Sequence, residues 1–497
     1  NQSERNLAMS FCKHQNSETR TKKKQQQEPF RNDKQFIEQM RWFAPPGKLF
    51  DKSEFHGNVK WAAEELVTQS LIWAWQETKN VTNAFEKSRD ICDDLKLPGT
   101  IRNFTSFMNA LTRNRELFHN RLRERFQTLA EEVGGERFRT KGWVLIGFDG
   151  SRVTAPRSES NEQAFCAPNY GNGPKAKYGK KKSKGMRRKR NKDNPPQPQK
   201  PQAWLTMMWH MSLQLPWSWR LGPSNSSERD HVRDMLTHEK FPEKTLFCGD
   251  AGFVGYPLWS TIMSAAKQHF LVRVGANVDL LSETADVQQC GGRVLCWPKG
   301  RMNSGDPPLR LRLVNLTIGK TPMWFVTNVL NKRELSDKRI QEFYKMRWGV
   351  EVAFRGLKQT LDKCTLKCRN SDRLLAELDW AIRAMAVAEL ITLREQMRKR
   401  SANRTGSSKD PQRRSLAKTM RALRKCMSRL HKVPAADAGL LRALSDAVVQ
   451  RYNNRTDKRS RYRPRNPDKK PLGDPNVTKL SAEQLRKLGQ HQQHAQA

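Results

Sequence analysis

Acidic side chains are scarce in this sequence of 497 residues. Aspartate and glutamate number 50 against 92 lysines and arginines, for a formal net charge of +42. An imbalance of that size speaks to partners rather than to fold. It favours a polyanion such as DNA, RNA, an anionic membrane or an acidic protein, and it argues against a small-metabolite enzyme. Long apolar runs are missing too. Nothing approaches the roughly 18 consecutive apolar residues of a membrane span, so no membrane is expected among the partners. The start, NQSERNLAMSFCKHQNSETR, lacks the apolar stretch of a secretory leader, and it opens on Asn rather than Met, which leaves room for sequence upstream. The nine cysteines are scattered and odd in number, which points to free thiols in a reducing compartment. Cys290 with Cys296 and Cys364 with Cys368 find no second pair or histidines to complete a zinc site. Hydrophobic residues are sparse at 36%, yet 14 Trp and 21 Phe suffice for real cores, so wholesale disorder is excluded. At about 150 residues per domain, the length allows about three.

The positive charge is uneven. Residues 175–192 (KAKYGKKKSKGMRRKRNK) carry 11 basic groups and no acid, and residues 397–497 carry 26 basic against 7 acidic groups. Outside these two segments the balance is ordinary. Residues 1–32 read as a disordered polar leader. Residues 33–140 read as a helical unit, from apolar spacing of three and four in 59–76 and 101–130, interrupted at Leu97-Pro98-Gly99. Trp61, Trp73 and Trp75 are expected in its core. Residues 141–396 then mix strands and helices. WVLIGF at 143–148 and TLFCG at 245–249 read as short buried strands, each followed by an aspartate. A basic, Pro-rich loop at 175–201 separates the first of them from a Trp- and Met-rich strand segment at 203–221. Helices are expected near 226–238, with Ser226 or Ser227 as its cap, and 256–267, and a strand at 268–275. A β-rich insertion is expected over 276–330, then a long helix at about 335–362 and another at 374–400. The remainder, 397–497, reads as a basic C-terminal tail. No internal repeat is present.

Chemistry concentrates on the helix at 335–362. At about 100° per residue, Tyr344, Arg347, Glu351 and Lys358 share a stripe about 60° wide, beside the apolar face of Phe343, Met346, Val350, Phe354, Leu357 and Leu361. Alone, a carboxylate between two cations is ordinarily a structural ion-pair row, and an aspartate after a strand is ordinarily a turn or cap. Together, Asp149, Asp250 and Glu351 deliver three acids from two strand ends and one helix. That is the donor set two Mg2+ ions require for phosphodiester chemistry, since hard hydrated cations take carboxylate oxygens. No histidine motif competes, and His210 and His231 read as ordinary core or surface residues.

At these residues the sequence resembles a known family. Tyr344-x2-Arg347-x3-Glu351-x6-Lys358 is similar to the Tyr-Arg-Glu-Lys signature of DDE insertion-sequence transposases of the IS-four type. FDGS at 148–151, DAGFVG at 250–255, VTN at 326–328 and YKMRWGVEVAFRGLK at 344–358 occur in the family's order, and the resemblance spans about 141–362. It implies an α/β fold: an RNase-H-like catalytic core with a β-rich insertion between the second aspartate and the glutamate. A helical DNA-binding domain would precede this core, and the basic tail would follow it.

The resemblance also implies roles. Asp149, Asp250 and Glu351 would be the catalytic triad and hold two Mg2+ ions, with Mn2+ able to substitute. Tyr344, Arg347 and Lys358 would hold DNA phosphates near the scissile bond. Trp324 would stack on a flipped base, although alignment on Thr327 moves that position to Met323, and Arg273 would add a DNA contact. The partners would be double-stranded transposon ends and target DNA, gripped by a homodimer in a synaptic complex. The setting would be the nucleoid of a prokaryotic cytoplasm. The implied activity is cut-and-paste transposition by phosphodiester hydrolysis and strand transfer. Two rivals stand beside it. One is a catalytically inactive DNA-binding descendant of a transposase. The other is a basic RNA-binding protein, which leaves the three acids unexplained.

Overall fold

The computed structural model describes residues 31–165, 200–283, 291–319, 321–402, 413–431, 439–449 and 472–494. Most of the polar leader and of the 175–201 loop, including the basic run 175–192, lies outside them.

Five helices open the described chain: α1 (Arg31–Phe43), α2 (Ala63–Trp75), α3 (Val81–Asp94), α4 (Phe104–Arg113) and α5 (Arg115–Gly134). Asn80 and Asn103 start α3 and α4 by accepting from the backbone N–H of Asn83 and Ser106 at 2.8 and 3.1 Å. The break at Leu97-Pro98-Gly99 turns on Gly99, whose φ of +68° suits glycine and lets it approach Ala62. Helix α2 is buried along its whole length. Its polar residues are satisfied inside: Gln69 exchanges two hydrogen bonds with the backbone of Ile101, at 2.8 and 2.9 Å. Trp73 and Trp75 are buried, and Trp61 is half-buried against Phe55.

One mixed sheet of ten strands forms the centre, in the order β10-β6-β7-β8-β9-β5-β4-β1-β2-β3. Strands β1 (Val144–Thr154), β2 (Gln202–His210) and β3 (Leu215–Pro223) are an antiparallel meander. Strands β4 (Thr245–Gly249) and β5 (His269–Val274) run parallel to β1. The segment expected as an insertion supplies β6 (Asp279–Ser282), β7 (Gly292–Cys296), β8 (Leu309–Ile318) and β9 (Thr321–Thr327). It extends the same sheet, because β9 pairs antiparallel with β5. β4 is buried throughout and apolar after Thr245, as expected of a central parallel strand with both faces covered.

Short helix α6 (Glu159–Phe165) follows β1. Helices α7 (Glu228–His238, capped by Ser227) and α8 (Tyr256–Ser264) flank β4, and α9 (Lys299–Asn303) lies between β7 and β8. After β9 come α10 (Asp337–Met346), α11 (Gly349–Arg355) and the long α12 (Ser371–Ala402). Helix α12 joins the halves: it packs on α2, α4, α5 and β3, and its Ala384 carbonyl accepts from Trp75 Nε1 at 2.9 Å. A buried polar knot reinforces this junction. Asp379 of α12 accepts from Trp219 Nε1 of β3 at 2.7 Å and from Arg383 at 2.8 Å, and lies 3.4 Å from His119 Nδ1 of α5.

The basic C-terminal region departs from a simple tail in its described parts. Helices α13 (Leu416–Met427) and α14 (Leu440–Ser445) pack on α12, and strand β10 (Asn476–Lys479) pairs parallel with β6 at the far sheet edge. Helix α15 (Ala482–His494) follows, and its Leu488 joins a small separate core with Leu295, Trp297, Met302 and Leu480. Some of the region's charge is therefore structural. Buried Arg414 pairs with Glu389 at 2.7 Å and donates to the Leu213 carbonyl at 2.6 Å. No helix among the described residues is long and apolar enough to cross a membrane.

Candidate catalytic centre

β1 and β4 pair from Val144 opposite Thr245 to Gly147 opposite Cys248, and then part. β4 stops at Gly249, so Asp250 is the first residue beyond it. β1 continues to Thr154, paired with β2 all the way, and Asp149 faces Met207 there. Asp149 thus sits in mid-strand rather than at the strand end read from the sequence. Apolar character ends at Phe148 because β1 loses its neighbour β4, not because its own pairing with β2 ends. The groove left at the parting takes both aspartates.

Alternate residues of a strand share a face, so Gly147, Asp149 and Ser151 point the same way. The α10–α11 segment covers that face. Arg347 Cγ lies 3.6 Å from where a Gly147 Cβ would be, and Lys358 Nζ donates to Ser151 Oγ at 2.7 Å. The helix expected over 335–362 is divided here. Arg347 N–H bonds to Tyr344 O and Val350 N–H to Arg347 O, both at 3.2 Å, a tight turn between α10 and α11. A π-turn over Gly356–Thr360 then ends the segment and carries Lys358. Gly349 brings α11 close to β2, because a Cβ on it would meet Trp209 Nε1 at 2.7 Å. Glu351, in the first turn of α11, is held by Arg347 Nη2 at 3.2 Å.

The site's electrostatics follow from this crowding. Burial pushes the Asp149 carboxyl up to about 6; the Gly150 N–H and Arg347 oppose this, and the charges of Asp250 and Glu351 add to it. Arg347 is half-buried, which weakens its charge, but Tyr344, Asp250, Asp149 and Glu351 outweigh burial and strengthen it. Its Nε and Nη1 have no hydrogen-bond partner among the described residues. Burial lowers the Lys358 ammonium pKa. A fourth carboxylate, Glu228 at the start of α7, was not singled out by the sequence. Burial, then Asp149 and Asp250, push it up to about 7. Its only signal was the Ser-Glu start of an ordinary capped helix.

Tyr344 stacks edge-on against Phe325 of β9 at 4.8 Å, with the Arg347 guanidinium 5.6 Å from its ring centre. Arg273 pairs with Phe325 in the sheet and shares that face, where its charge reaches Tyr344; its Nε is buried without a partner among the described residues. Trp324 does not join them. It lies one residue along β9 and so on the opposite face, only 6% exposed, with Nε1 donating to Asp474 Oδ1 at 2.7 Å. Met323 shares the Phe325 face. The large exposed apolar side chains beside the acids are Trp348 (60%) and Val352 (58%), one helical turn apart, which the sequence reading passed over.

The donor set suits hard divalent cations, because its candidate donors are all carboxylate oxygens. Among the described residues, no three His, Cys, Asp or Glu groups converge on a single point as they stand, and Glu351 is turned onto Arg347. The acids are close enough to perturb one another, and a divalent cation would relieve that repulsion.

Residues 146–388 match the family model of the transposase DDE domain. The match takes in most of β1 through more than half of α12 and contains Asp149, Asp250 and Glu351, so over this stretch the chain is similar to transposase DDE domains. No curated protein sequence matches the chain. Among solved structures, a piggyBac transposase synaptic complex with hairpin DNA aligns over 85% of this chain and 87% of its own, at 11% identity. The TM-score of that alignment is 0.38.

Proposed function

We propose that the protein is a DNA transposase of the IS-four type that cuts transposon ends and joins them to target DNA. The observation that carries this reading is the meeting of Asp149, Asp250 and Glu351, from β1, the end of β4 and α11, around the cation Arg347. The strand order β3-β2-β1-β4-β5, with a meander followed by two parallel strands, supports an RNase-H-like core.

Asp149, Asp250 and Glu351 would hold two divalent cations, Mg2+ by their all-oxygen chemistry, with Mn2+ able to substitute. Bound there, the ions supply activation of the attacking oxygen and stabilisation of the leaving one. The chain's own groups do the rest. Arg347, with two unpartnered N–H groups, offers a planar fork to a phosphate. Lys358 is anchored on Ser151 beside Asp149 and adds a point charge. Tyr344 and Arg273 continue the same face, and exposed Trp348 and Val352 offer an apolar surface to unpaired bases. In hydrolysis a water oxygen bonds to phosphorus as the bond to the 3′-oxygen breaks, and the proton passes to that 3′-oxygen. In strand transfer the freed 3′-hydroxyl oxygen bonds to a target phosphorus as that phosphorus loses its bond to the target's 3′-oxygen, and the proton passes to the leaving oxygen. Pairing of two ends calls for a dimer.

The test is cleavage of DNA carrying the element's ends by purified protein with Mg2+. Asp149→Asn and Glu351→Gln are expected to abolish cleavage and keep end binding. Cleavage that survives either substitution refutes the assignment, and end binding without any cleavage by the wild type favours the inactive DNA-binding alternative.

A further inference from the structure

The π-turn that carries Lys358 is held by residues of the basic C-terminal region. A turn of this kind is rare, and the last carbonyls of any helical element lack partners within it. Two residues after the turn, Asp362 takes a φ of +55°, a conformation that a non-glycine residue keeps only where its surroundings fix it. Helix α13 supplies such surroundings, since it packs on the turn as well as on α12 and α2. At the start of the turn, a Cβ on Gly356 would meet Leu416 Cδ2 of α13 at 2.7 Å, so the leucine lies directly on the glycine. At its end, Arg424 Nη2 of α13 donates to the Thr360 carbonyl at 3.4 Å.

The same guanidinium is fixed at two more points. Its Nε donates to the Trp75 carbonyl, at the end of α2, at 2.8 Å, and its Nη1 to Glu77 Oε2 at 2.9 Å. Glu77 is mostly exposed and adds little, so the two carbonyls set the position. Arg424 thus gives a missing donor to the last carbonyls of two helical elements, where a cation is also favoured by their dipoles. On its other side the turn is tied to the sheet through Lys358, whose Nζ donates to Ser151 Oγ at 2.7 Å. The turn is therefore gripped between β1 and α13, with the end of α2 as the fixed point.

We propose that α13 is a clamp on the π-turn, and that Arg424 is a positioning residue that holds Lys358 at the catalytic centre. This rests on the transposase reading above and deepens it. The bonds of Arg424 go to Trp75, Glu77 and Thr360, so its influence on cleavage passes through the turn. The C-terminal region then acts on the chemistry by position, beyond any grip on DNA by its charge.

The experiment compares the full-length wild type with Arg424→Met, which loses these bonds, by two readouts. One is single-turnover cleavage at saturating DNA with Mg2+. The other is acetylation of Lys358 by acetic anhydride without DNA, read by mass spectrometry against exposed Lys345. Cleavage is expected to fall about ten- to a hundred-fold with end binding unchanged, since a misplacement of about 1 Å costs that much. Acetylation of Lys358 should rise relative to Lys345. Hydrogen exchange should rise at Leu361 and Lys363, whose N–H groups bond to the Gly356 and Leu357 carbonyls, and not across the sheet. Leu416→Ala loosens the other end of the clamp and should act in the same direction; it decides the matter if Arg424→Met does not fold. Lys358 acetylation that stays level with Lys345, or exchange that rises throughout the molecule, marks a general loss of stability and overturns the clamp. Unchanged cleavage in both folded variants, where Asp149→Asn abolishes it, overturns the clamp and leaves the transposase reading standing. A wild type that cleaves no DNA overturns the transposase reading alone, and acetylation and exchange then judge the clamp.

Discussion

If the acids are arranged for a cation, they should burden the metal-free fold, and Asp149 gives the measure. Its carboxyl sits at about 6 against an ordinary 3.8. At 1.36 kcal/mol per pH unit, the gap sets a ceiling of about 3 kcal/mol on the cost of its charge. Partial solvent access screens this to about 1–2 kcal/mol. Asp149→Asn removes the charge and keeps the shape, so the metal-free variant should be more stable than the wild type by that amount at pH 8. A raised folded-state pKa means that the folded protein binds the proton more tightly than the unfolded chain. The cost is therefore full above about pH 7, shrinks as pH falls through 6, and is gone below about 4, so the variant's advantage should shrink with it. Guanidinium denaturation in EDTA at pH 8, 6.5 and 5 measures this. Adding Mg2+ should stabilise the wild type and not the variant, closing or reversing the order. An Asp149→Asn protein no more stable than wild type at pH 8, or an advantage independent of pH, would refute the claim that uncompensated carboxylates crowd this groove.

Three further outcomes follow from other parts of the molecule. Asp379→Ala leaves Arg383 buried without its carboxylate and should cost about 3–5 kcal/mol, read by denaturation, with Asp379→Ala/Arg383→Met recovering much of it. Burial raises the Asp379 pKa, but Arg383 and His119 outweigh it and hold the carboxyl well below the ordinary carboxylate range. This contribution is therefore present at neutral pH and lost as pH falls below about 4, opposite in sign to Asp149. Gly349→Ala should favour a helix locally by about 1 kcal/mol. Its Cβ nevertheless meets Trp209 Nε1 at 2.7 Å and would move Glu351, so cleavage should drop while DNA binding persists. Trp324→Phe loses the bond to Asp474, about 1 kcal/mol. It should raise hydrogen exchange in β10 and α15, with end binding unchanged; faster exchange near Tyr344 instead would contradict its position on the opposite face.

Local patterns carried much of this in the sequence. Helical periodicity brought Tyr344, Arg347, Glu351 and Lys358 to one edge; across a tight turn and a π-turn, Tyr344, Arg347 and Lys358 meet the sheet and Glu351 pairs with Arg347. Short apolar runs marked β1 and β4, and the serine pair at 226–227 marked the start of α7. Boundaries failed where neighbours decide them. β1 outruns its apolar stretch because β2 still pairs with it after β4 has gone, and nothing local reports that. The one-residue ambiguity between Trp324 and Met323 could not be resolved locally, since a shift of one position in a strand exchanges the two faces.

The sequence by itself determined the candidate groups: three carboxylates, two cations and a tyrosine, in types and spacings set by the local period of strand and helix. The tertiary structure decided which groups meet. Residues 476–479 closing the sheet edge beside β6, and Glu228 seated against Gly150, join positions far apart in the chain. Such contacts leave no mark in the sequence near either partner. For Glu228 the seat is an absence, the side chain that glycine lacks, and only the packing of α7 on β1 shows what fills it.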